Sequence, residues 1–232
     1  MKLGIMQPYF FPYIGYWQLL NYVDKYVVYD DVNFIKGGWI NRNRILLNGQ
    51  PHMINIGMQG ASPYKLINQI NVSDDSIFAR KQLATIEAAY KRAPYFDQVY
   101  SIVERVYMSD KTKLSERLFE SIQLVCNYLD IDTELILSSD LNKNNELKGK
   151  DKVISICKIL NADTYVNAIG GRELYVKDEF KENGIDLFFL KPMIDEYHQG
   201  SESFIGSLSI IDVMMFNSQE KIKESLLKFD LV

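Results

Sequence analysis

The chain has 232 residues, 47% of them hydrophobic, and a net charge of −4. That length suits one large domain with an ample core, and the acidic balance argues against a nucleic-acid groove as its main purpose. No apolar run approaches a membrane span and no signal-peptide core is visible, which points to the cytoplasm.

Met1 to Met6 reads as a short apolar strand. Gln7-Pro8-Tyr9-Phe10-Phe11-Pro12 breaks the chain with two prolines, and a helix opens at Tyr13. Tyr26 to Tyr29 is a second strand, ending in Asp30-Asp31. Strand, loop, helix, strand opens a parallel α/β sheet, whose ligands sit outside the carboxyl ends of the strands. Arg42 to Leu47 and His52 to Met58, around Asn48-Gly49-Gln50-Pro51, predict a β-hairpin. Ser73-Asp74-Asp75-Ser76 supplies an N-cap for a helix to about Arg92. A second helix follows Ala93-Pro94, and a third covers Leu114 to Leu129. Residues 76–130 therefore read as a helical insert or subdomain within a single α/β domain spanning 1–232. Thr133 to Leu137, Thr164 to Val166 and Ile185 to Leu190 are further strands, with a helix at Lys150 to Leu160 and a short one at Glu179 to Asn183. Helices at Ser209 to Phe216 and Gln219 to Phe229 close the chain. Cys126 and Cys157 lie in apolar helical patterns and read as small buried hydrophobes rather than a disulfide or metal pair.

Several clusters carry chemistry. Tyr13-Ile14-Gly15-Tyr16 has the spacing and position of the His-x-Gly-His element of nucleotidyltransferases, with tyrosines in place of both histidines. Tyrosine can donate to a phosphate but carries no charge at neutral pH. Asp30-Asp31 ends the second strand, where Asp31 could serve as a base or a magnesium ligand. Alternation along a strand lets only one of the pair face a given ligand. Lys36-Gly37-Gly38-Trp39-Ile40-Asn41-Arg42-Asn43-Arg44 combines cations, amides and a tryptophan, and arginine forks match phosphate. Alternation would put Arg42 and Arg44 on one face and Asn41 and Asn43 on the other. Gly170-Gly171 forms a turn whose N–H groups can cradle an anion, with Tyr175 beyond. His52 alternates with apolar residues in the hairpin and reads as structural; His198, in a loop after the last strand, is placed where a general acid or base could act. Ser209 can cap the helix it begins, with Asp212 reaching back as in a capping box. No Cys or His spacing suggests zinc, and magnesium is the one cofactor the pattern brings up.

Taken together, these residues resemble the WbqC-like protein family. The likeness rests on Met6 to Trp17, Tyr29 to Val32, Trp39 to Ile45, Gly170 to Tyr175, and Leu208 to Asp212 with Phe216-Asn217. It implies site residues at Gln7, Tyr13, Gly15, Asp31, Trp39, Asn41, Arg42, Asn43, Arg44, Tyr175 and Asp212. The chain departs from the family pattern at His198, where a proline is expected after Tyr197. The family is associated with O-antigen and capsule polysaccharide biosynthesis. The expected fold is a five-stranded parallel core of the nucleotidyltransferase (Rossmann) type. The expected function is transfer of an acyl or aminoacyl group to a nucleotide-linked amino sugar. In it Asp31, Tyr13 and His198 would be catalytic. The ligand would be held by Gln7, Gly15, Tyr16, Lys36, Trp39, Asn41, Arg42, Asn43, Arg44, Gly170, Gly171, Tyr175, Ser209 and Asp212. The partner is a small nucleotide or nucleotide sugar, neither nucleic acid nor membrane, with an oligomer open. Nucleotidyl transfer and a non-catalytic binding scaffold are the alternatives.

Overall fold

The computed structural model describes residues 1–201 and 203–232. Its centre is a sheet built from β1 (Lys2–Met6), β2 (Lys25–Val28), β7 (Glu134–Leu137), β8 (Thr164–Ala168), β9 (Asp186–Pro192) and β10 (Phe229–Leu231). The spatial order is β10-β9-β8-β1-β2-β7. The first five strands of the chain to enter this sheet run parallel, and β10 pairs antiparallel with β9 through Asp230 opposite Lys191. The sheet thus has one strand more than the parallel five the sequence predicts. Phe229 to Leu231 is too short to signal a strand and directly follows α8 (Gln219–Leu226), which ends earlier than periodicity suggests.

Among the parallel strands, chain order reads 3-2-1-4-5 across the sheet, so the direction of winding reverses between β1 and β8. A crevice opens outside the strand ends at such a reversal. Both sheet faces are covered, as parallel sheets require. Leu3, Ile5, Val27, Tyr165, Leu187 and Phe189 pack with α5 (Gly149–Ile159) and α6 (Lys177–Lys181). Tyr26, Val28, Val166 and Leu190 point the other way. They join a single apolar cluster with α1 (Ile14–Tyr22), α2 (Ser76–Tyr90), α3 (Phe96–Tyr107), α4 (Leu114–Leu129), α7 (Ile210–Phe216) and α8. The helices of residues 76–130 therefore share the core that α1 builds.

The path from β2 to its neighbour β7 contains the hairpin of β3 (Arg42–Leu47) and β4 (Gln50–Asn55), a small pair β5 (Met58–Gln59) and β6 (Asn71–Val72), and α2 to α4. The hairpin turn is Asn48-Gly49, both at positive φ, so β4 starts at Gln50 rather than His52. Asp75 caps α2, its Oδ1 accepting from Ile77 N and Phe78 N at 3.0 and 2.9 Å. Cys126 and Cys157 are buried free thiols, each pushed up to about 12 by burial. Among the described residues no helix is long and apolar enough to cross a membrane.

Candidate functional site

The loop leaving β1, Gln7 to Tyr13, is held from every side. Trp17 Nε1 and Ile210 N both donate to the Pro12 carbonyl, at 2.9 and 3.0 Å. Phe10 N donates to the Trp39 carbonyl at 3.0 Å. Asn43 Nδ2 donates to the carbonyls of Phe10 and Phe11 at 3.1 and 2.8 Å, and Ser209 Oγ donates to that of Phe11 at 2.7 Å. Phe11 lies at φ 41°, a left-handed conformation that a bulky residue keeps only under such constraint. The apolar reason is plain as well: Phe10 and Phe11 are fully buried, edge-on to each other at 4.9 Å.

Beside this loop lies a cavity of about 330 Å³. Tyr9, Pro12 and Tyr13 come from the β1 loop, Trp39, Asn43 and Arg44 from the hairpin arm, Pro192 from the end of β9, and Ile194 and Ser207 from the segment after it. The Arg44 guanidinium sits over the Trp39 ring, 5.4 Å from its centre. Its Nε is buried and has no hydrogen-bond partner among the described residues, and Arg44 forms no ion pair there. A guanidinium without a counter-charge at the wall of an aromatic pocket is a place for an anion. Burial pushes the hydroxyls of Tyr9 and Tyr13 upward, so both stay protonated at neutral pH and donate hydrogen bonds. The lining contains no Asp, Glu, His or Lys. A larger recess of about 690 Å³ beside α4 and β7 mixes acids with bases, and Arg105 there pairs with Glu120 at 3.6 Å.

Gly15 has a definite task. A Cβ there would meet the Tyr13 ring, 2.5 Å from Cε2 and 2.6 Å from its hydroxyl oxygen. The glycine thus admits the tyrosine ring over the helix start. Tyr16 does not reach the cavity. It is buried against Tyr9, Trp17 and Tyr26, and its hydroxyl donates to the Gln7 carbonyl at 3.2 Å. Gln7 is half-buried at the exit of β1.

Asp30 and Asp31 separate, as alternation requires. Asp30 is buried and accepts from Ser139 N and Oγ at 3.0 and 2.8 Å, tying β2 to the exit of β7. Asp31 Oδ2 lies between Lys143 Nζ at 2.8 Å and Lys152 Nζ at 3.0 Å, with all three side chains buried. Desolvation raises the Asp31 pKa, but the two lysines overcome it and hold the carboxylate below its usual range. It does not line the cavity, and a lowered carboxylate already shared by two ammonium groups is a poor base and a poor magnesium ligand. The geometry lends no support to Asp31 as catalytic base or magnesium ligand. The lysines escape a sequence reading because one lies in the polar loop 140–149 and the other opens an amphipathic helix.

The hairpin arm is split. Asn43 and Arg44 face the cavity, while Lys36, Asn41 and Arg42 border a different one of about 370 Å³. Arg42 and Arg44 alternate with buried Asn43 along β3, but Arg42 turns to its own strap, donating to the Gly37 carbonyl and, at 3.1 Å, to that of Gly38. Asn41 Nδ2 donates to the Ile56 carbonyl at 3.2 Å. Gly170 and Gly171 lie in a 3₁₀ turn, and a Cβ on Gly171 would collide with Asn167 Nδ2, so that glycine admits the Asn167 amide. Tyr175 packs edge-on to Tyr165 and Phe180, at 5.9 and 5.5 Å.

Ser209 caps α7, accepting from Ile211 N at 3.2 Å. Asp212 does not complete a capping box. It is buried and accepts from Tyr90 Oη at 2.6 Å, Tyr197 Oη at 2.6 Å and Gln199 Nε2 at 2.9 Å. Burial raises its pKa, partly offset by these donors. Asp212 thus fastens the segment after β9 to α2 and does not line the cavity. His198 is exposed beside Tyr197 and does not border the cavity, so nothing places it for proton transfer. His52 is exposed in β4, opposite Ile45. Tyr9, Pro12, Pro192, Ile194 and Ser207 are the lining residues not singled out as candidates from the sequence; only the crowding of aromatics around Tyr9 hints at one of them.

The sequence model of the WbqC-like protein family matches residues 7–224. The chain is 26% identical over 219 residues to the uncharacterized protein Rv1507c of Mycobacterium tuberculosis (strain ATCC 25618 / H37Rv), covering 93% of each. No solved structure matches.

Proposed function

This chain belongs to the WbqC-like protein family, and we propose that its cavity binds a nucleotide-linked amino sugar and that the protein transfers an acyl or aminoacyl group to it during cell-surface polysaccharide synthesis. One observation carries the binding half: the Arg44 guanidinium, in the cavity wall over the Trp39 ring with no ion pair among the described residues. An arginine fork takes a diphosphate, and an aromatic face takes a base or sugar ring. The strand order 3-2-1-4-5 supports the same class of ligand, since nucleotides lie at the reversal of doubly wound sheets. The link to surface polysaccharides rests on what the family resemblance implies.

The base-free lining limits the chemistry. The sugar amine has to enter uncharged and attack the carbonyl of a donor already activated, such as a thioester. A carbon–nitrogen bond forms, the carbon–sulfur bond breaks, and the amine proton leaves with the thiol. The protonated hydroxyls of Tyr9 and Tyr13 and the Arg44 guanidinium are suited to hold the carbonyl oxygen as it gains charge. The same absence of a base favours a second reading, a binding protein that presents the nucleotide sugar to another enzyme. Nucleotidyl transfer gains no support, because Tyr13 covers Gly15 and the Tyr16 hydroxyl is spent on the Gln7 carbonyl.

A thermal-shift screen tests the proposal with nucleoside diphosphate sugars, nucleoside triphosphates and acyl thioesters, each with and without magnesium. A ligand at ~100 times its Kd adds about 2.7 kcal/mol of stability. Nucleotide sugars are expected to raise the melting temperature. A shift confined to triphosphates with magnesium would contradict the assignment.

A further inference from the structure

The second cavity bordering the hairpin arm is charged and unmatched. Lys36 and Arg42 both line it, and its lining includes no Asp or Glu. Neither cation forms an ion pair among the described residues. Arg42 has five N–H donors, and the backbone carbonyls of Gly37 and Gly38 use only two of them. Asn41, Asn55 and Ser62 add neutral polar groups, and Phe34, Met58 and Pro63 supply an apolar wall. The walls are fixed: Asn33 Nδ2 donates to the Pro63 carbonyl at 2.7 Å and Phe34 N to that of Lys65 at 2.9 Å. Two cations lining one recess of about 370 Å³ whose lining holds no counter-charge favour an anionic ligand with an apolar portion.

We propose that this cavity is a second binding site, for the phosphate or carboxylate group of the co-substrate. Only its role as a co-substrate site rests on the group-transfer reading above; its affinity for an anion does not. The strap Lys36-Gly37-Gly38-Trp39 separates the two cavities. Arg42 grips its glycine carbonyls from one side, and Trp39 covers Arg44 on the other. An anion on Arg42 therefore sits one strap's thickness from the first cavity, and its binding is felt at the Trp39 ring. The chain has two tryptophans, Trp17 and Trp39, so a change in emission on binding that is lost in Trp39→Phe reports Trp39.

The test titrates inorganic phosphate and acetate separately into wild-type protein, Arg44→Ala and Lys36→Gln, by calorimetry and tryptophan emission. Lys36 is exposed and makes no hydrogen bond among the described residues, so its replacement leaves the fold intact, whereas Arg42→Gln also loosens the strap. The proposal expects at least one probe to bind, Arg44→Ala to keep that affinity, and Lys36→Gln to weaken it at least about tenfold, the scale of one charged hydrogen bond. Binding of phosphate alone identifies a phosphorylated co-substrate; binding of acetate alone identifies a carboxylate. The site is overturned if neither probe binds, if Lys36→Gln binds as wild type, or if Arg44→Ala abolishes binding. Nucleotide-sugar affinity measured on the same three proteins separates the two claims: its dependence on Arg44 tests the first cavity whatever the small anions do.

Discussion

Asn43 holds Phe11 in a conformation the phenylalanine would not choose. The Asn43 amide donates to the Phe11 carbonyl at 2.8 Å, and Phe11 sits at φ 41°. A strained position of this kind costs about 1–3 kcal/mol and survives only where the surroundings over-determine it. Here it fixes the loop that carries Tyr9, Pro12 and Tyr13 to the cavity. Asn43→Ala removes the donor to two carbonyls and should destabilise the fold by about 1–3 kcal/mol. Chemical denaturation measures that loss, and nucleotide-sugar affinity should fall with it; a variant as stable as wild type would show that the loop is held by other contacts.

Gly15→Ala separates stability from binding. Alanine is about 1 kcal/mol better than glycine inside a helix, but its methyl collides with the Tyr13 ring. That ring is half-buried and can swing away, so stability should change by less than about 1 kcal/mol while affinity drops as Tyr13 leaves its place. Unaltered affinity in the folded variant would remove Tyr13 from the site.

The Asp31 cluster predicts how stability responds to acid. Its folded pKa is depressed, so the ion pairs contribute fully above the unfolded value of 3.8 and are lost as pH falls through the folded one. Asp212 has the opposite sign: its folded pKa is raised, so its contribution is present below 3.8 and is lost as pH rises through the folded value. Asp31→Asn leaves two buried ammonium groups without their carboxylate, a loss of about 3–5 kcal/mol at neutral pH. It should also flatten the stability profile below pH 3.8. Denaturation midpoints across pH check both; an unchanged acid limb would rule out this ion-pair assignment.

Trp39→Ala should weaken nucleotide-sugar binding by about 1–3 kcal/mol, the worth of one stacked ring, with Trp39→Phe recovering part of it. A competition assay reads both. Equal affinity for all three proteins would mean that the ring lies beside the ligand without stacking on it.

Much of this was legible in the sequence because it is local. The β1–α1–β2 unit follows from an apolar run, two prolines and a helix start, and Asn48-Gly49 fixes the hairpin. Trp39, Asn43 and Arg44, neighbours along the hairpin arm, line one cavity. What local pattern could not show is which donors are already engaged. Arg42 looks like Arg44 until the glycine carbonyls of its own strap are found to hold it. Asp31 looks like a base until lysines more than a hundred residues away close on it. Asp212 looks like a cap, but Tyr90 and Tyr197 come from elements that only the tertiary fold brings near. Pro192, Ile194 and Ser207 complete the cavity from the far end of the chain, with no periodicity to mark them.

The most direct measurement is calorimetric titration of a nucleoside diphosphate sugar into wild-type protein and Arg44→Gln. The account predicts that wild type binds and that the variant, folded to the same melting temperature, loses about 1.5–3 kcal/mol of binding free energy, the scale of a hydrogen bond to a charged group. Equal affinity in the two proteins would contradict it, since the orphaned guanidinium would then have no anion to hold.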